Sequence, residues 1–203
     1  MVGLISDSHN HLTFMTAAID FLRKRGATRI IHLGDICDSL HPEFLERAVE
    51  ILVKEQVEAV RGNNECAVMT EYIVSHPEQL NISTRAFLEN LPYVIRSKTV
   101  VYAHSAPFEW PEATRRPLRY YLPRMMASGS LPFGILFRGH SHHCSVLEIC
   151  EEKIEKLPVK PGVVIDLDKN KRYIITVGAV EHGACALFDY DACRFSPMEI
   201  PPP

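Results

Sequence analysis

Between residues 2 and 60, short apolar runs alternate with amphipathic stretches, and no other feature restricts the possible folds so strongly. Residues 2–6 form an apolar run that ends in polar turn residues, which reads as a buried strand. Leu12, Met15, Ile19 and Leu22 recur at steps of three and four, the stripe of a helix that stops near Gly26. Residues 29–33 form a second apolar run. Pro42, Glu43 and Glu46 open a second helix, since Pro suits the first turn and acids suit the positive end of the helix dipole. Its expected apolar face is Phe44, Leu45, Ala48, Val49 and Leu52, and residues 57–60 supply a third strand. This βαβαβ order predicts a parallel layer with helices packed on it, an α/β fold.

Beyond residue 60 the spacing predicts a short helix over 84–91 and strands over 99–103 and 135–137. Four short strands follow, over 146–149, 163–167, 173–177 and 184–188, and the turn Asp168-Lys169-Asn170 predicts a hairpin between two of them. Residues 105–134 hold five prolines and read as a cap or a long active-site loop. With no repeat and no Gly/Ser linker, residues 1–203 read as a single domain.

Composition sets further limits. Apolar residues are 46% and charged residues 23%, which excludes a disordered or fibrous chain. The net charge of −3 and the lack of a long Lys/Arg run argue against polymeric nucleic acid as a partner. No apolar run of about 18 residues predicts a membrane span. The opening residues MVGLISDSHN lack a leader pattern, so a cytoplasmic location is expected, with the six cysteines as free thiols. Ten histidines in 203 residues are the one unusual count, and such enrichment suggests metal binding.

Five apolar strands run straight into possible metal ligands. The first ends at Asp7-Ser8-His9, the second at Gly34-Asp35, and the third, through Arg61, at Gly62-Asn63-Asn64-Glu65. The fourth ends at His104 and the fifth at Arg138-Gly139-His140-Ser141-His142. Ligands of open α/β sheets bind at the carboxyl ends of strands, so these residues are expected to cluster at one sheet edge.

Asp7-x-His9, Gly34-Asp35-x-x-Asp38, Gly62-Asn63-x-Glu65, His104 and Gly139-His140-x-His142, in this order, resemble the calcineurin-like metallophosphoesterases. The likeness is closest to their small bacterial phosphodiesterase branch, and Val177-Gly178-Ala179-Val180 is similar to that branch's late Gly-Ser-Val loop. The resemblance implies a four-layer α/β/β/α sandwich with two divalent metal ions between the strand ends. One ion would be held by Asp7, His9, Asp35 and His142, the other by Asp35, Asn63, His104 and His140, with Asp35 bridging. A bridging carboxylate suits ions about 3.5–4 Å apart, and His-x-His on an extended segment lets the two rings diverge, one to each ion. Manganese is expected by resemblance, while mixed N/O donors also accept Fe, Co, Ni or Zn. With Asp7, Asp35 and a bridging hydroxide, the two ions leave roughly one positive charge to meet a phosphoryl group. In-line attack by that hydroxide is the expected step.

The chain departs from the family pattern at the third motif, where many relatives carry a histidine that serves the leaving group and this chain has Asn64. General acid catalysis typically supplies about 10²–10⁴-fold, so good leaving groups suffer least. His11 and His182 are the expected substitutes because both loops should face the site, and His143 is a weaker one. Asp38 is expected to orient a neighbouring ligand, and Ser105 stands where relatives commonly have Gly. Arg115, Arg116 and Arg119, interleaved with Tyr120 and Tyr121, read as a solvated helix face or as a cap gripping a substrate phosphate. His32, inside a strand, is expected to be a hydrogen-bonded core residue.

The leading expectation is a dimetal phosphodiesterase acting on a small phosphate ester. A nucleotide or phosphomonoester hydrolase, including one that cleaves dinucleoside polyphosphates, is the enzymatic rival. A protein-interaction scaffold with a vestigial metal site is the rival from another class, weakened because all seven ligand positions are filled. These motifs carry no statement about oligomeric state.

Overall fold

The computed structural model describes residues 1–76, 78–127, 133–150 and 153–201. The first sixty residues follow the expected alternation: β1 (Val2–Ile5), α1 (Leu12–Lys24), β2 (Arg29–His32), α2 (Leu45–Lys54) and β3 (Glu58–Ala59). A 3-10 turn over Pro42–Phe44 precedes α2 and leaves Phe44 half exposed, off the buried face on which it was expected. After β3 come α3 (Asn63–Ala67), a π-helical turn over Val68–Tyr72, α4 (Ile73–Ser75) and α5 (Ile82–Asn90). The Asn81 side chain caps α5 by accepting the Thr84 N–H at 2.7 Å.

The second half contains β4 (Val94–Ser97), β5 (Val100–Ala103), α6 (Glu112–Arg115), α7 (Leu118–Ala127), β6 (Ile135–Arg138), β7 (Ser145–Cys150) and β8 (Lys153–Leu157). It closes with β9 (Ile165–Asp166), β10 (Arg172–Thr176), a 3-10 turn over Val180–His182, β11 (Ala184–Asp189) and β12 (Arg194–Glu199). The stretch over 105–134, expected as a cap or loop, runs as bends and a turn over 105–111 and then forms α6 and α7, and 128–132 lie outside the described residues.

Two six-stranded sheets form, in the orders β3-β2-β1-β11-β12-β9 and β4-β5-β6-β10-β7-β8. Strands β1, β2 and β3 run parallel in the first sheet, and β5, β6 and β10 run parallel in the second. The period of two along each strand sorts side chains between layers. Leu4, Ile31, Tyr102, Phe137 and Ile175 meet between the sheets. Ile5 and Ile30 face α1 and α2, while Val101, Leu136 and Ile174 face α6 and α7. The result is the expected four-layer α/β/β/α sandwich. No described helix is long and apolar enough to cross a membrane.

The expected hairpin is overturned as well. The turn at Asp168-Lys169-Asn170 makes no hairpin, because β9 pairs with β12 in the first sheet and β10 pairs with β6 and β7 in the second. The local Asx turn, with Asp168 accepting the Asn170 N–H at 2.9 Å, is real, but it carries the chain from one sheet to the other.

Candidate metal centre

Each parallel strand delivers its polar residues at its carboxyl end, and the backbone there is bent to do so. Asp7, His9, Asp35, His140 and His142 all adopt positive φ, between 40° and 67°. That region is costly for side chains other than Gly, Asn and Asp, and it clusters at functional sites. Two glycines make room: a Cβ on Gly62 would lie 2.2 Å from Asp35 Oδ1, and one on Gly139 would lie 1.7 Å from Ser6 Oγ.

The loops are tied to one another before any side chain reaches the centre. Asp7 N–H donates to the Gly34 carbonyl at 3.0 Å and Ser8 N–H to the Asp35 carbonyl at 2.9 Å. The Ser8 hydroxyl donates to the Ile36 carbonyl and accepts from His32 Nε2, both at 2.9 Å, which makes His32 the hydrogen-bonded core residue expected. Burial pushes the His32 imidazole down to about 3, so it stays neutral. Glu65, fully buried, accepts the N–H groups of Asp35, Ile36 and Gly62 at 2.8–2.9 Å and that of Cys37 at 3.3 Å.

The seven expected donors converge in two groups that meet at Asp35. In the first, His9 Nε2 lies 3.3 Å from His142 Nε2, and His142 Nε2 lies 3.6 Å from Asp7 Oδ1. In the second, His104 Nε2 lies 3.1 Å from Asn63 Oδ1 and 3.2 Å from His140 Nδ1, which is itself 2.9 Å from Asn63 Oδ1. A single atom, Asp35 Oδ2, faces both, at 3.9 Å from His9 Nε2 and 3.4 Å from His104 Nε2. Donors held about 2.0–2.2 Å from one ion at tetrahedral or octahedral angles stand roughly 3.0–3.5 Å apart, so this spacing suits a divalent ion in each group.

Outer contacts fix how the donors point. Asp7 accepts the His140 N–H at 3.0 Å, Asp35 Oδ1 accepts the Asn64 N–H at 2.9 Å, and His104 Nδ1–H donates to the Leu33 carbonyl at 2.8 Å. That last bond leaves His104 Nε2 free to face Asp35. Burial opposes a charge on His104, but Asp35 and Asp7 beside it hold its ring up at about 9. Burial and the charge on His104 push His140 down to about 4. Burial raises the Asp7 carboxyl, whereas at Asp35 burial is outweighed by His104 and the Asn64 amide, and the group stays well below the usual carboxylate range.

The remaining expected residues lie around this centre. The Asn64 side chain turns away to accept the Ser39 N–H at 2.9 Å, and Asp38 accepts the Leu40 N–H at 2.9 Å, with no bond to a ligand among the described residues. His11 and His182 are largely exposed at the rim, with Nε2 atoms 3.8 and 3.9 Å from the Glu181 carboxylate. Arg115 reaches Glu71 at 3.6 Å, Arg116 lies 4.4 Å over the Tyr120 ring, and Arg119 is exposed. Among the described residues, none of these three arginines bonds a donor of the centre.

Two residues escaped the sequence reading. Arg138, buried at the end of β6, donates through Nε to the Ser105 carbonyl at 2.9 Å and through its two Nη atoms to the hydroxyls of Ser141, Thr176 and Ser105. Glu181 accepts from His142 Nδ1 at 2.9 Å. Glu181 follows the noted Val180 directly, and that proximity was its one signal.

The sequence profile of the calcineurin-like phosphoesterase superfamily domain matches residues 1–182. An uncharacterized protein of Methanocaldococcus jannaschii is 25% identical over 197 residues, covering 89% of this chain and 76% of its own. A metallophosphoesterase from Sphaerobacter thermophilus superposes with a TM-score of 0.68 at 24% identity, covering 98% of this chain and 87% of its own. A structure described as a novel archaeal phosphodiesterase superposes with a TM-score of 0.54 at 14% identity, over 98% and 99% of the two chains, a likeness of fold.

Proposed function

The chain belongs to the calcineurin-like phosphoesterase superfamily, and from that premise we propose that it is a dimetal-dependent phosphohydrolase that acts on small phosphodiesters in preference to monoesters. The observation that carries this reading is the convergence of seven N and O donors in two groups sharing Asp35 Oδ2. Asp7, His9, Asp35 and His142 would hold one ion, and Asp35, Asn63, His104 and His140 the other. Manganese is the ion we propose, with Fe, Co, Ni and Zn also suited to such donors. Bound there, divalent ions supply Lewis-acid polarisation of a phosphoryl group and activate water as a nucleophile at neutral pH.

The chain's own residues supply orientation. Asp35 is held through Oδ1 by the Asn64 amide, so its Oδ2 stays aimed at the centre. Asn64, in the motif position where many relatives carry a histidine, accepts the Ser39 N–H through its side-chain oxygen and, as an amide, supplies no general acid. Esters with good leaving groups are therefore favoured, and His11 or His182 at the rim would serve poorer ones.

The test pairs metal content by mass spectrometry with turnover of an aryl phosphodiester and an aryl phosphomonoester in added Mn²⁺. Two ions per chain and faster diester turnover are expected, with activity abolished by Asp35→Ala. Less than about one ion per chain, or activity that survives Asp35→Ala, rejects the two-metal reading. Faster monoester turnover would instead favour the phosphomonoester reading of the same centre. His11→Gln and His182→Gln should lower turnover of poor leaving groups more than good ones, and unchanged ratios would remove both from that role.

A further inference from the structure

Behind the first donor group stands a carboxylate that the family motifs do not include. Glu181 lies in the 3-10 turn after β10, its side chain 15% exposed, and its Oε1 is 2.9 Å from His142 Nδ1. The other ring nitrogen of His142, Nε2, faces Asp7 and His9. An imidazole can offer Nε2 as a lone pair to an ion only if its proton sits on Nδ1, and a carboxylate at hydrogen-bond distance holds the proton there.

The backbone delivers Glu181 to this place. Val180 N–H donates to the Ser6 carbonyl at 2.8 Å and Glu181 N–H to the Asp7 carbonyl at 3.4 Å, while Ala179 N–H donates to the His142 carbonyl at 3.2 Å. The turn is thus bonded to the first ligand loop and to the last, and its side chain falls between them. The contrast with the second group is direct. His104 donates its Nδ1–H to the neutral Leu33 carbonyl, and the Asp7 carboxylate reaches His140 at its backbone N–H, leaving no carboxylate on the outer ring nitrogen of His140 among the described contacts.

We infer that Glu181 is a positioning residue for the first ion: it fixes His142 as an Nε2 donor and raises affinity at the Asp7–His9–Asp35–His142 group without acting on the second. The inference rests on the two-metal reading above, and the experiment separates the two. The ion-free full-length protein is titrated with Mn²⁺ by calorimetry, in wild-type form and as Glu181→Ala and Glu181→Gln. The two binding steps are assigned with His9→Ala and Asn63→Ala, each of which removes one donor from one ion.

Glu181→Ala is expected to weaken the first ion about 10–100-fold and the second by less than about 3-fold. Glu181→Gln keeps an accepting oxygen without the charge and should fall between alanine and wild type, so it carries the test even if the alanine variant does not fold. Wild-type affinity for both ions in these variants overturns the inference, and so does equal weakening of the two, which marks a merely structural residue. A wild-type isotherm with fewer than two ions would instead reject the two-metal reading itself.

Discussion

Glu65 receives four backbone N–H groups at a point where no water reaches it, and three of them come from the consecutive residues Asp35, Ile36 and Cys37. Its removal strands those donors in a buried loop, at about 1–3 kcal/mol for each that finds no other partner. Glu65→Ala should therefore cost at least about 3 kcal/mol in a urea denaturation, and a loss below about 1 kcal/mol would show that the loop closes without it. The residue stood in the motif Gly62-Asn63-x-Glu65, yet its job was unreadable there, because backbone amides as partners leave no mark on sequence. His32 was legible, since a histidine inside an apolar strand has few options. Its folded imidazole titrates near 3 because burial penalises the charge, against an unfolded value of about 6.5. Above pH 6.5 both states are neutral. As pH falls below that value the unfolded chain takes up a proton that the folded chain refuses, so stability is lost towards acid at up to about 1.4 kcal/mol per pH unit. The ion-free wild type should show this extra acid slope between about pH 6 and 4 relative to His32→Gln, and superimposable slopes would exclude His32 as its source.

At the level of elements, strands were readable where both faces are covered and unreadable where one face meets water. β1, β2, β5, β6 and β10 are apolar runs because the sandwich buries them between a helical layer and the opposing sheet. β8 reads as polar because Lys153–Leu157 is an exposed edge strand, β4 is the opposite edge of the same sheet, and β12 hides behind Pro197. The strand-end ligands were legible for the same reason that the core strands were: each interrupts an apolar run. Arg138 also follows such a run, but its partners, Ser105, Ser141 and Thr176, come from the ends of three different strands, a juxtaposition that only the sheet order creates. It also gives Ser105 a purpose, since that hydroxyl accepts from Arg138 and donates to the Arg116 carbonyl at 2.8 Å, linking the His104 loop to the end of α6. Arg138→Ala should cost about 3–5 kcal/mol by loss of a buried, multiply bonded cation. Arg138→Lys should recover part of it, because an ammonium cannot reproduce the fork. Equal stability of the lysine variant and wild type in the same denaturation would refute the role of the fork.

For the whole molecule, the arrangement of donors makes the proposed ions a link between the two sheets. Asp7, His9, Asp35 and Asn63 follow strands of the first sheet, and His104, His140 and His142 follow strands of the second. Each donor group therefore draws on both sheets, at an edge where the strands have ended. The bent backbones at His9, His140 and His142 also lie there, each costing on the order of 1–3 kcal/mol that surrounding contacts must offset. An ion that binds only the folded chain stabilises it by about 2.7 kcal/mol at a hundred times its Kd. For a chain of this size each kcal/mol moves the Tm by about 2–4 °C, so removing one such ion by chelation should lower it by roughly 5–11 °C. The loss should be local as well as global. Amide exchange should quicken at 7–9, 34–36, 62–65, 104–105 and 139–142, with the Leu4, Ile31, Tyr102 and Phe137 layer between the sheets little changed. A Tm unmoved by chelation in a protein shown to have bound Mn²⁺ would mean that the donors are as well organised without ions as with them. In that case the aromatic layer and the amide clamps around Glu65 hold the sheet edge alone, and the ions serve chemistry without stabilising the fold.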